Sequence, residues 1–169
     1  LSIAGAPSPQ STGLTKPTHV AALPERIPFA KPRIRVKVDD RVQVGSVLFE
    51  DKRNSEIQFL SPGGGKVVKV GLGPRRVIKE IVIELDDEES FREFQIFSGS
   101  DLEAANGKDV VQAIIKGGLW PLIRMLPFRD WPDPGITPPG IFVTIGNLEP
   151  FHPRPETFLS GREDLFRFG

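Results

Sequence analysis

The stretch Val36-Lys-Val-Asp-Asp-Arg-Val-Gln-Val-Gly-Ser-Val-Leu-Phe-Glu50 decides the fold. It reads as the end of a strand, a turn at Asp39-Asp40, and a second strand-like run from Val42 to Glu50 broken by Gly45. Just before it, Arg33-Ile-Arg-Val-Lys-Val38 alternates basic and apolar residues with period two, the mark of a half-buried strand. After it, Ile57–Leu60 is a third strand candidate, and Pro62-Gly-Gly-Gly65 is a strong break. Lys66–Val70 and Val77–Leu85 follow on either side of a turn at 71–74. Short strands every 8–12 residues with Gly and Pro between them predict a compact barrel or sandwich.

Within this run, Val42-Gln-Val-Gly-Ser-Val-Leu48 has the V-x-x-G-x-x-L spacing of the hammerhead in lipoyl and biotinyl carriers. There a glycine lets the chain bend sharply between strands. Ile57-Gln-Phe-Leu-Ser-Pro-Gly-Gly-Gly-Lys-Val67 resembles the return strand of the same half-barrel. A carrier joins its cofactor to a lysine at the hairpin tip. Counting back from Pro62 puts that position on Asn54, and Lys52 stands two residues away. Such a shift keeps the facing but leaves the tip. A scaffold without a swinging arm is therefore favoured, and a carrier modified on Lys52 is the alternative.

Outward from the barrel, residues 1–32 carry six prolines and predict an extended arm with one short strand near His19–Ala22. The acidic run Asp86–Glu89 reads as a solvated turn. Residues 90–128 turn helical: Asn106 suits an N-cap, Val110, Val111, Ile114 and Ile115 form one apolar stripe, and Gly117-Gly118 is a stop. A second short helix is predicted over Trp120–Met125. Residues 129–140 hold four prolines and read as a rigid loop, and Gly140–Ile145 reads as a buried strand. The expected class is α+β and β-rich: an arm (1–32), a lipoyl-like barrel-sandwich hybrid (33–89), and the beginning of a truncated α/β domain (90–169). The chain has no initiator Met, and it reads as starting inside its gene product.

The 169 residues hold 22 Lys+Arg and 22 Asp+Glu, so no global basic field favours nucleic acid. Cysteine is absent, which excludes a disulfide, a thiolate metal site and a cysteine nucleophile in this chain. No window approaches the ~18 consecutive apolar residues of a membrane span.

Several blocks carry a closer resemblance. They are Leu1-Ser-Ile-Ala-Gly-Ala-Pro7, Asp40–Asn54 with its Leu-Phe-Glu-Asp-Lys core, Ser61–Val68, Arg75–Glu84, Gly118-Leu-Trp-Pro-Leu-Ile-Arg-Met-Leu-Pro-Phe128 and Pro139–Ile145. In order and spacing the chain resembles the A subunit of the Na+-translocating NADH:quinone oxidoreductase and, more distantly, the C subunit of the Rnf complex. The resemblance implies a peripheral subunit on the cytoplasmic side of a multi-subunit membrane complex. That complex passes electrons from NADH through flavins and iron–sulfur centres to ubiquinone and pumps Na+. It implies no resident cofactor in these residues, ubiquinone as the candidate ligand, and flavins and iron–sulfur centres in partner subunits. Members are more than twice this length, so the chain reads as an N-terminal piece.

Candidate sites are few. In related flavin-binding subunits, including that of respiratory complex I, a Gly-rich loop opens a helix and offers free amides to the flavin phosphate. Here Gly117 and Gly118 remain, but Leu119, Trp120 and Pro121 bring bulk and remove one amide. An Rnf-like subunit that binds flavin or NADH is the second alternative. Trp120, Phe128, Trp131 and Phe142 are candidates for an aromatic quinone pocket, with Arg124 as its polar anchor. Pro127-Phe128-Arg129 stands out, because an aromatic among prolines in a loop is often presented rather than buried. Arg33, Arg35 and Lys37, with Lys31, line one strand face, and Arg75 and Arg76 with Lys79 form a second basic patch. The first is a candidate to dock an acidic partner or lipid headgroups and the second to seat a partner subunit, against the plainer reading of a solvated face. His19 and His152 lack metal-ligand spacing, and Ser2, Ser61 and Ser98 have no base nearby.

Overall fold

A computed structural model describes residues 5, 13–144 and 152–168. Two compact units emerge, residues 17–136 and residues 1–16 with 137–169. The first carries all seven strands: β1 (His19–Ala22), β2 (Pro32–Ile34), β3 (Arg41–Val42), β4 (Val47–Asp51), β5 (Gln58–Leu60), β6 (Gly65–Leu72) and β7 (Ile78–Leu85). It also carries helices α1 (Gly99–Ala104) and α2 (Gly107–Lys116). The second unit holds two short helices, α3 (Pro155–Leu159) and α4 (Glu163–Phe168).

The strands form two antiparallel sheets, one ordered β1-β7-β6-β3 and one ordered β2-β4-β5. The strand expected at His19–Ala22 is present, and it completes an edge by pairing His19 with Glu84 and Ala22 with Ile81. The core between the sheets is Val42, Leu48, Phe49, Val67, Ile78, Ile81 and Ile83. Each such side chain contributes about 1.5–3 kcal/mol on burial. Phe49 and Phe59 stack face to face, with centroids 4.4 Å apart. Two bulges tune the alternation. Val68 is an extra residue on β6, and Lys79 is an extra residue on β7. The second bulge shifts the phase, so that Ile78 turns inward although it lies three residues before Ile81.

Two glycines of the barrel are needed sterically. Gly45 sits at φ +88, and a Cβ there would lie 2.8 Å from the Phe94 ring. A Cβ on Gly65 would lie 2.0 Å from the Glu84 carbonyl oxygen, because β6 enters the sheet hard against β7. Asn106 caps α2 as its sequence requires, its side chain accepting from the Lys108 N–H. Ser98 and Asp101 close a capping box on α1.

Four expectations are corrected. The Arg33–Val38 strand ends at Ile34, because Asp40 takes the Lys37 N–H and turns the chain. The acidic run after β7 is not merely solvated: Asp86 binds the Arg41 guanidinium at 2.6 Å, and Glu89 accepts the Gly64 N–H at 2.8 Å. The helix expected over Trp120–Met125 is one 3-10 turn, Trp120–Leu122, after which Ile123 is extended. Residues 141–144 form no strand, and Ile141, Phe142 and Val143 are exposed. An apolar run becomes a strand only where a neighbour takes its backbone groups, and among the described residues neither sheet includes Ile141, Phe142 or Val143. Ile145 lies outside the described residues.

Candidate functional site

The charged centre of the barrel is built on the end of β4. Glu50 and Asp51 are consecutive, so their side chains leave opposite faces of the strand. Both are almost fully buried, and each is met by arginine. Arg33 lies directly across from Glu50 in the β2–β4 register. Its Nε donates to Glu50 Oε1 at 2.7 Å, with a second bond from Nη2. Arg35, two residues on and on the same face, donates from Nε and Nη2 to the two Glu50 oxygens at 2.6 and 2.8 Å. The Arg35 hydrogen bond holds the Glu50 carboxyl below its ordinary range; burial opposes this, and Arg33 adds to it.

On the other side, burial pushes the Asp51 carboxyl up. Arg53 and the N–H groups of Lys31 and Arg53 more than offset that and leave it below its usual value. Asp51 in turn holds the Arg53 guanidinium more firmly protonated. Arg53 Nη2 also donates to the Phe29 carbonyl at 2.6 Å, which ties the arm to the hairpin. These acids are anchored ionised and fully bonded, an arrangement suited to holding strands rather than moving protons.

The β4–β5 hairpin tip is Lys52–Glu56, with the Asn54 side chain accepting from the Glu56 N–H. Lys52 is exposed beside this tip, and its N–H donates to the Lys31 carbonyl at 2.8 Å. Its side chain lines a groove of the barrel body.

Gly117 and Gly118 terminate α2. The N–H of Gly117 donates to Ala113, that of Gly118 to Ile115, and that of Leu119 to Ile114. Gly118 has φ +69 and lies so close to Leu60 that a Cβ would meet its Cγ at 2.7 Å. The pair thus faces the carbonyl end of a helix with its amides engaged, whereas a phosphate loop presents free amides at the opposite end.

Within residues 17–136, Trp120 is buried and Phe128 is exposed. Trp120 is buried with Ile57, Ile115 and Trp131, and its Nε1 donates to the Pro132 carbonyl at 3.0 Å. Phe128 is 79 % exposed, at the tip of a loop closed by Met125 and Asp130. It is presented, as its proline setting suggested. Phe142 belongs to the other unit and is exposed. Arg124 and Arg53 each set a guanidinium against the Trp131 ring, at 5.7 and 5.6 Å. Arg124 Nη1 and Trp131 Nε1 are buried and find no acceptor among the described residues.

Of the basic candidates, Arg33, Lys37 and Arg76 reach one groove. Arg35 is turned onto Glu50, and Arg75 stands at the β6–β7 hairpin tip with φ +55. Among the described residues no three His, Asp or Glu side chains assemble as a metal site, and no helix is long and apolar enough to cross a membrane. Sequence reasoning missed the Glu50–Asp51 pair. Two carboxylates ending an apolar strand, with arginines at alternate positions before it, were the available signal.

Two family models match the chain in order. The NqrA N-terminal barrel-sandwich hybrid domain covers residues 1–86, and the NqrA second alpha/beta domain covers residues 105–169. The chain belongs to the NqrA family. Its similarity to NqrA proteins is continuous. It is 34% identical over 169 residues to the A subunit of the Na(+)-translocating NADH-quinone reductase of Vibrio anguillarum. It is 35% identical to the protein of that name from Vibrio vulnificus strain YJ016, and 32% to the one from Pseudomonas aeruginosa. Each alignment takes in 100% of this chain and 38% of the relative's length. The NqrA architecture is a barrel-sandwich hybrid followed by an alpha/beta domain, and the two-sheet barrel described above is its first part.

Proposed function

We propose that this chain is the leading part of the A subunit of a Na+-translocating NADH:quinone oxidoreductase, peripheral at the cytoplasmic face of the membrane and associated with the other subunits. Its role there is structural and docking. The single observation that carries the reading is the unbroken similarity of all 169 residues to proteins of that name, through two domain models in family order. The chemistry of the chain is consistent with it. Its buried acids Glu50 and Asp51 are held by arginine, and it exposes apolar side chains such as Phe128. Electron carriage from NADH belongs, on this reading, to flavins and iron–sulfur centres in partner subunits. Deleting the gene is expected to abolish Na+-stimulated NADH:quinone oxidoreduction in membranes, and restoring the full-length gene is expected to return it. Undiminished activity without the gene would overturn the reading.

A second reading, contact with ubiquinone, draws on the 124–131 loop. Phe128 offers an exposed ring, and Arg124 and Trp131 each keep an N–H without an acceptor among the described residues. A quinone supplies the matching groups, a flat apolar ring and two carbonyl oxygens. Saturable binding of a short-chain ubiquinone to the full-length protein, weakened severalfold by Phe128→Ala, is the expected result. Binding indifferent to that change would place the quinone elsewhere.

A further inference from the structure

The two basic patches converge on one groove. It measures about 550 Å³ and runs along β2 and its continuation, past Pro32, Ile34, Val36 and Val38. Its far wall is the end of the β6–β7 hairpin, with Val70, Leu72 and Ile78. Four cations line it, Arg33, Lys37, Lys52 and Arg76, and no carboxylate does. Glu50 neutralises Arg33, but Lys37, Lys52 and Arg76 have no carboxylate partner among the described residues. The nearby acids are engaged: Asp39 binds Lys66, and Glu80 binds Lys69. Val38 and Leu72 lie at the mouth about half exposed.

We propose that this groove seats an extended acidic segment of another protein, with carboxylates alternating with apolar side chains. Three features select that occupant. β2 is an outer strand of its sheet, bonded on one side only to β4. The lining interleaves cations with hydrophobes, Arg33, Ile34, Val36, Lys37 and Val38 in chain order, as a peptide carrying both acidic and apolar side chains requires. Lys37, Lys52 and Arg76 are three cations without a carboxylate partner among the described residues, on three separate segments of the lining, which calls for a ligand with several anionic groups rather than one. A peptide places carboxylates at these three cations and lays apolar side chains on Ile34, Val36 and Leu72. The proposal rests on the subunit reading, which supplies neighbouring proteins to carry such a segment.

The test uses the full-length protein in membranes of its own host. Lys37→Glu, Lys52→Glu and Arg76→Glu are combined. Arg26→Glu, Lys108→Glu and Lys116→Glu, all exposed and outside the groove, form a control of equal charge change. After a moderate-salt wash, the groove variant is expected to lose retention at least about tenfold while the control stays. On the wild type, which needs no variant to fold, a carbodiimide is expected to join Lys37 or Lys52 to an Asp or Glu within an apolar–acidic stretch of another subunit. Equal retention of groove variant and wild type, or no cross-link from either lysine, would overturn the proposal and leave the subunit reading standing. Groove-dependent binding to phosphatidylglycerol vesicles without a protein cross-link would also overturn it, in favour of a lipid. A wild type that itself washes away would overturn the subunit reading, and the proposal with it.

Discussion

Glu50 is the residue on which the second sheet turns, since one buried carboxylate fastens Arg33 of β2 and Arg35 just beyond it. Glu50→Gln keeps the shape and removes the charge, and it is expected to cost about 1–3 kcal/mol. The folded-state values of Glu50 and Asp51 are both lowered. Their contribution is therefore present above the unfolded-state values, near pH 4, and is lost as pH falls through the folded ones. Thermal unfolding should be insensitive to pH from 7 to about 5 and fall steeply below about 4, and Glu50→Gln should flatten that fall. A wild-type midpoint that rises on acidification would contradict the assignment. Gly65→Ala drives a methyl into the Glu84 carbonyl and should cost about 1–3 kcal/mol or prevent folding, as read by denaturant titration. Trp120 and Phe128 should part company: Trp120→Ala is expected to cost about 3–5 kcal/mol, and Phe128→Ala less than about 0.5 kcal/mol. Calorimetry of the two variants checks this, and equal losses would mean that Phe128 is packed rather than presented.

At the scale of elements, local signals were legible wherever the partner was also local. β4 to β7 follow the alternation and the Gly/Pro breaks, because β4 pairs with β5 and β6 with β7 across a short hairpin. Asn106 and Gly117-Gly118 bound α2, since caps act within one turn. Two expected elements end differently, and for different reasons. Residues 141–144 have the composition of a buried strand, but a strand is made by the chain beside it, and sequence alone does not show whether one is there. The β2 strand stops short because a side chain four residues downstream of its expected middle, Asp40, captures the backbone. The candidate site was legible in its residue types and not in its grouping. Arg33 and Arg76 lie 43 positions apart and meet only after the sheets close. Arg35, on the same face as Arg33, joins it on the buried Glu50 carboxylate and does not line the groove.

At the scale of the molecule, residues 17–136 carry the barrel and its core. The barrel is closed by its hydrophobic core and its arginine-clamped acids, and its outer groove and presented loop remain for other surfaces. The central claim is that the chain serves in docking within a Na+-pumping NADH:quinone oxidoreductase. The most direct test is to tag the full-length gene product in its own host, solubilise the membranes in mild detergent, purify on the tag, and assay the eluate. The account predicts that flavin- and iron–sulfur-containing subunits elute with it, together with NADH:quinone reduction stimulated by Na+. A tagged protein that elutes alone, with that activity left in the flow-through, would contradict it.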